Sequence, residues 1–148
     1  MRGLRRPVVV AAVVALGAAA AAFAFDSPRE ADAAGVLPRC VHPGASIARP
    51  AGLARLPLPD GSVLVARRAQ YGYTIVRGYV PGAINPGRDF LVSRLPAAGY
   101  RLGAGDAEAT EAEALFTGHG VRGKFKLNTI TGCPGALTIQ LAVKSAAD

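Results

Sequence analysis

The clearest pattern in the chain is an alternation of apolar and polar positions towards its C-terminus. Every second residue over 137–143 is Leu, Ile or Val, and the same alternation runs through 124–128. A period of two is typical of strands that bury one face and expose the other. These segments therefore predict two half-buried antiparallel strands, separated by turn residues at 133–135.

A hairpin is predicted in the middle of the chain. Residues 62–68 and 73–80 have the β-branched and aromatic composition of strands, and a turn is expected near Gly72 between them. Pro81 and Gly82 then interrupt the sheet.

A single helix is expected after this hairpin. Asn85 is a suitable N-cap and Pro86 suits the first helical turn. Phe90, Leu91 and Leu95 fall on one helical face, and Pro96 is expected to end or kink the helix.

The acidic stretch over 106–116 has two interpretations. Asp106 could cap a helix rich in alanine and glutamate, whereas the alternation at 111–114 followed by Phe116 favours a strand. We favour a strand over 111–117. For the domain as a whole we predict an α+β fold: a mainly antiparallel sheet of five or six strands, with one helix packed on a face.

The N-terminus has the features of an export signal. Three arginines within the first six residues precede 8–25, which contain no charged residue, and small residues flank Phe23 as a signal peptidase requires. A second cleavage motif occurs at 31–33, and a retained membrane anchor is the alternative to cleavage. The expected organisation is a signal peptide over 1–24, an irregular Ala/Pro/Gly/Arg-rich lead-in over 25–55, and a globular domain over 56–148.

Charge argues against a nucleic-acid partner. The chain carries a net charge of +7, but without the three arginines of the signal 14 basic and 10 acidic residues remain, a net charge of +4. The basic residues are spread singly, whereas DNA and RNA binders concentrate them on one face. Contact with a membrane is expected only through the signal segment, if it is not cleaved.

Cys40 and Cys133 are the only cysteines. In an exported protein, two cysteines are most simply explained as one disulfide. A metal site or a catalytic thiol is the weaker alternative, because the chain has only two histidines to complete either.

The first hairpin holds the most suggestive group of candidate binding residues. If Val76, Gly78 and Val80 face the core, the intervening side chains share the other face of the strand. Tyrosine and arginine are enriched where proteins bind partners. The candidate binding residues are Tyr73, Arg77, Tyr79, Arg67 and Tyr71. The alternative is that the lead-in or a second layer of the same domain covers them.

Two further motifs give weaker signals. Four acidic residues lie close together and could supply oxygen ligands to a metal ion, although their spacing is not that of an EF-hand: Asp106, Glu108, Glu111 and Glu113. Residues 118–123 match the letters G-x-G-x-x-G, but strand-like sequence follows where a phosphate loop needs a helix. We therefore expect a hairpin loop with His119 at its tip.

The sequence contains no nucleophile elbow, zinc signature or Walker loop, and no cofactor is expected. The favoured function is a non-enzymatic binding module, secreted or in the extracytoplasmic cell envelope, whose partner is an envelope component or a protein. A small secreted hydrolase or metal-dependent enzyme is the alternative.

Overall fold

A six-stranded antiparallel sheet organises residues 35–147, which the computed structural model describes. The expected signal peptide and both cleavage motifs lie outside these residues, and no helix within them is long and apolar enough to cross a membrane. The strands are β1 (Val63–Gln70), β2 (Tyr73–Pro81), β3 (Arg101–Ala107), β4 (Glu111–Gly118), β5 (Val121–Thr129) and β6 (Ala136–Ser145). Their order in the sheet is β1-β2-β6-β5-β4-β3, so the last strand lies at the centre. The predicted α+β fold is confirmed, and 111–117 is strand.

Two hairpins have tight two-residue turns. Tyr71 and Gly72 join β1 to β2 with φ of 51° and 77°, and His119 and Gly120 join β4 to β5 with φ of 52° and 74°. Positive φ at both central positions is the signature of the type I′ turn, whose twist matches that of paired strands. The G-x-G-x-x-G letters therefore form a hairpin turn leading into β5, as expected.

The core lies between one face of the sheet and a helix, α1 (Ile84–Ala97). The helix contacts β3, β4 and β5, with Leu91 and Leu95 fully buried. At Gly87 the helix approaches the sheet so closely that an added Cβ would lie 2.8 Å from Cδ1 of Leu137. A larger residue at this position would displace the Leu137 side chain.

The helix starts earlier than predicted. Its N-cap is Ala83, with no capping hydrogen bond from a side chain, so the expected cap at Asn85 is wrong and Asn85 lies in the first turn. Burial of Ile84 against the sheet favours the earlier start, since tertiary packing outweighs a single capping hydrogen bond. Pro96 lies inside the final turn, and the helix ends one residue later.

The lead-in contacts the rest of the domain at other positions besides Cys40. The Ile47 amide donates a hydrogen bond of 2.8 Å to the Leu64 carbonyl on the edge strand β1. A short 3-10 helix, Ala51–Leu53, then places Leu53 in the main core with no exposed surface. The lead-in therefore passes the β1 edge and contributes to the core on the helix side, although it lacks sequence periodicity.

The opposite edge of the sheet is irregular. β3 pairs with β4, but the register shifts between Leu102 and Gly105. All residues of β3 except Leu102 are exposed.

Candidate binding face

The sheet surface opposite α1, here called the outer face, carries most of the predicted binding residues. Val76, Gly78 and Val80 are buried on the helix side. Because side chains alternate along a strand, Tyr73, Arg77 and Tyr79 point to the outer face.

Six polar side chains from three strands line a shallow, open depression of about 410 Å³ on this face. The strand register arranges them in two rows: Arg77, Gln140 and Lys126 lie side by side, as do Tyr79, Thr138 and Asn128. We call this depression the outer-face concavity. With about 4.8 Å between strands and about 3.4 Å per residue, the grid spans about 10 by 7 Å.

Contacts fix the side chains on two sides of the concavity. Arg77 Nε donates a hydrogen bond of 3.2 Å to Gln140 Oε1, which orients both groups. Tyr79 packs against a second apolar cluster that contains Val41 and Cys133. Because the Cys40–Cys133 disulfide holds the lead-in at this cluster, it supports the wall formed by Tyr79.

The structure separates the other predicted binding residues. Tyr73 lies on the outer face but outside the concavity, where Lys144 Nζ is 5.1 Å from its ring centroid. Tyr71 occupies the hairpin turn and is 89% exposed. Arg67 pairs with Val76 and so belongs to the helix side of the sheet at its edge, not to the row of Arg77.

A smaller cavity of about 80 Å³ lies where the outer face meets the β1 edge. It is lined by Ala66, Arg67, Arg68, Ile75 and Arg77. We call it the arginine cleft. Arg77 and Ala66 line both the cleft and the concavity, so the two depressions adjoin.

Ion pairs occupy two of the predicted metal ligands. Glu113 accepts a hydrogen bond of 2.9 Å from Lys124, and this bond holds the pKa of Glu113 below its usual range. Glu111 pairs with Lys126 at 2.6 Å, and its acceptance of a hydrogen bond raises the pKa of Lys126. Both carboxylates thus neutralise lysines of β5.

The remaining two acidic residues lie nearby, with Asp106 directly opposite Glu113 in the β3–β4 pairing, but they form no metal site with Glu111 and Glu113. Asp106 Oδ1 accepts a hydrogen bond from the Ala107 amide, and Glu108 lies in the exposed β3–β4 connection. Among residues 35–147, no three His, Cys, Asp or Glu side chains form a group that could hold a metal ion.

The ion pairs leave positive charge concentrated at the other end of the sheet. Lys124 and Lys126 are neutralised, whereas no carboxylate in the described part of the chain pairs with Arg67, Arg68 or Arg77. The side of the sheet formed by β1 and β2 is therefore the more attractive to an anion.

His119, in the β4–β5 turn, contacts the end of α1 and the ring of Tyr100. Its Nε2 lies 2.7 Å from the Ala98 carbonyl at the end of α1, and its ring packs edge-on against Tyr100 with centroids 4.8 Å apart. The Tyr100 hydroxyl is buried without a hydrogen-bond partner in the described chain, and this burial raises the pKa of Tyr100. These contacts tie the β4–β5 turn to the helix.

Sequence reasoning missed the four polar residues that β5 and β6 contribute to the concavity: Lys126, Asn128, Thr138 and Gln140. These residues are the polar positions of two alternating strands, but their proximity to Arg77 depends on strand order.

The chain matches no protein-family profile, no curated protein and no solved structure.

Proposed function

We propose that this protein is an exported, non-enzymatic binding module whose outer face binds an anionic polysaccharide of the cell envelope. The observation that carries the proposal is the outer-face concavity, which combines an arginine with amide, hydroxyl and tyrosine side chains. This combination suits a ligand that is both charged and rich in hydroxyl groups.

Each group of the concavity has a defined use in such binding. The Arg77 guanidinium presents several donors to a carboxylate or ester oxygen. Asn128, Thr138 and Gln140 can each both donate to and accept from sugar hydroxyls. A footprint of about 10 by 7 Å accommodates a short stretch of sugar rings lying across the strands.

The lining of the concavity favours binding over hydrolysis. It contains no carboxylate and no histidine, which are the groups that most often transfer protons in enzymes. The open, shallow shape likewise suits an extended polymer better than a small substrate, which enzymes usually enclose.

An extracytoplasmic location supports an envelope ligand. The structure contains the Cys40–Cys133 disulfide, and such bonds persist in oxidising compartments. The basic and apolar N-terminal sequence favours export on independent grounds.

The test uses the protein purified after export, with its N-terminus processed as the cell leaves it. Its binding is compared for three polymers: polygalacturonate, dextran sulfate and uncharged dextran. We expect both charged polymers to bind and uncharged dextran not to bind. The variant Asn128→Ala/Gln140→Ala removes two amides from the concavity without changing net charge. It should bind both charged polymers about tenfold more weakly, because each lost hydrogen bond contributes about 0.5–1.5 kcal/mol.

A matched control removes two amides elsewhere. Gln70→Ala/Asn85→Ala alters the first hairpin and the exposed start of α1 and should leave binding unchanged. Failure of the wild-type protein to bind either charged polymer would overturn the proposal. Unchanged binding in both double variants would also overturn it, since binding would then be unspecific attraction to a basic protein.

A further inference from the structure

We infer that the arginine cleft is a separate site for one tetrahedral oxyanion, a sulfate or phosphate group, and that it selects polymers bearing such esters. The part of this inference that concerns the polymer rests on the proposed function. Binding of the oxyanion itself is independent of it.

The size of the cleft limits its ligand. Its volume of about 80 Å³ is much smaller than the 410 Å³ of the outer-face concavity. The cleft therefore suits a single sulfate or phosphate group better than a run of sugar rings.

The chemistry of the cleft favours an anion. Arg67, Arg68 and Arg77 line it, and none of them has a carboxylate partner among the described residues. Arginine binds oxyanions with paired parallel hydrogen bonds, which a tetrahedral group can accept from more than one arginine.

The position of the cleft at the sheet edge explains how arginines from both faces reach it. Arg68 pairs with Ile75 and belongs to the outer face, while the adjacent Arg67 belongs to the helix side. β1 is the terminal strand of the sheet, so no further strand separates the two sides there. Ala66 and Ile75 supply the apolar part of the lining.

The shared residue Arg77 connects the cleft to the concavity. A polymer seated across β2, β6 and β5 would carry a substituent of one ring directly to the arginines of β1. We therefore expect a sulfated polymer to bind more tightly than a carboxylated one, because only the sulfate esters fill the cleft with a tetrahedral group.

The first experiment uses inorganic anions alone. The ¹⁵N-labelled wild-type protein is titrated with sodium sulfate and, separately, with sodium phosphate, against sodium chloride at the same ionic strength. We expect saturable shifts of the arginine Nε–H signals of Arg67 and Arg68 with sulfate or phosphate only. Shifts identical to those in chloride would overturn the site.

The second experiment uses the variant Arg67→Gln/Arg68→Gln, with Arg88→Gln/Arg94→Gln on the helix as a control that removes the same charge. The cleft variant should lose the saturable shifts and bind dextran sulfate at least tenfold more weakly, with a smaller loss for polygalacturonate. The control should keep the shifts.

The failure of this inference is distinguishable from failure of the proposed function. If the cleft variant and the control lose affinity equally for both polymers, the cleft does not select the polymer. The proposed function would still stand on the amide variant Asn128→Ala/Gln140→Ala. If no charged polymer binds but the sulfate shifts appear and depend on Arg67 and Arg68, the proposed function fails and the oxyanion site remains.

Discussion

Removing the Cys40–Cys133 disulfide should lower the free energy of unfolding by several kcal/mol. The bond joins residues 93 positions apart, and closure of a loop of this length in the unfolded chain corresponds to about 4–5 kcal/mol. Cys133 is also 3% exposed, so its replacement disturbs packing and adds to the loss of stability.

This loss is large beside the stability of a small domain, which is about 5–15 kcal/mol in total. At about 4 °C per kcal/mol for a domain near 100 residues, the melting temperature should fall by roughly 15–20 °C. The lead-in should also separate more readily from Tyr79, since the cross-link lies in the same apolar cluster.

The assay is thermal unfolding of the Cys40→Ala/Cys133→Ala variant, followed by circular dichroism, with hydrogen exchange over residues 37–41 as the local measurement. Alanine is preferred to serine because a buried hydroxyl at position 133 would add a cost of its own. Reduction of the wild-type protein should reproduce the effect, and a reductant should leave the variant unchanged.

A melting temperature within about 3 °C of the wild-type value would refute the reasoning based on loop closure. Together with unchanged exchange at 37–41, it would mean that apolar contacts alone hold the lead-in in place.

Three other predictions concern stability and processing. Leu53→Ala should destabilise the protein by about 2–5 kcal/mol, measured by urea unfolding, because it opens a cavity in the core; Val36→Ala, at a 70% exposed position of the lead-in, should have almost no effect. Glu113 has a lowered pKa, so its bond with Lys124 stabilises the fold above the usual pKa of a glutamate and is lost as the pH falls through its pKa in the folded state. The stability advantage of the wild-type protein over Glu113→Gln, at most about 1 kcal/mol at pH 7, should diminish as the pH falls below the usual pKa of a glutamate, whereas a difference that stays constant with pH would exclude this linkage. Intact-mass analysis of exported protein should show that the first 24 residues are missing, and detection of Met1 would favour a retained anchor.

The strands were predictable because their signal is local. Alternation over 124–128 and 137–143 requires only that one face be buried, and β5 and β6 have this pattern. The position of β6 between β2 and β5 was not predictable, since no periodicity in one segment states which other strand it pairs with.

The contribution of the lead-in to the core was missed for a related reason. Leu53 is fully buried, but it lies in a short 3-10 helix among glycine, alanine and proline residues, where no period of two or 3.6 can develop. Its burial is set by the path of the chain around the β1 edge.

The candidate site was predictable only in part. The alternation in β2 placed Arg77 and Tyr79 on one face, and the structure has them there. Asn128 and Gln140 join them through register across three strands, which is long-range information. Arg67 lines the arginine cleft together with Arg77, although the antiparallel pairing assigns it to the other side of the sheet.

The two edges of the sheet have a consequence for self-association. A regular edge strand with free N–H and C=O groups can recruit another chain and begin aggregation. At β1 the Ile47 amide already occupies the Leu64 carbonyl, and at β3 the irregularity between Leu102 and Gly105 breaks the even spacing that an incoming strand would need. The sheet is therefore protected at both ends against growth by addition of further copies.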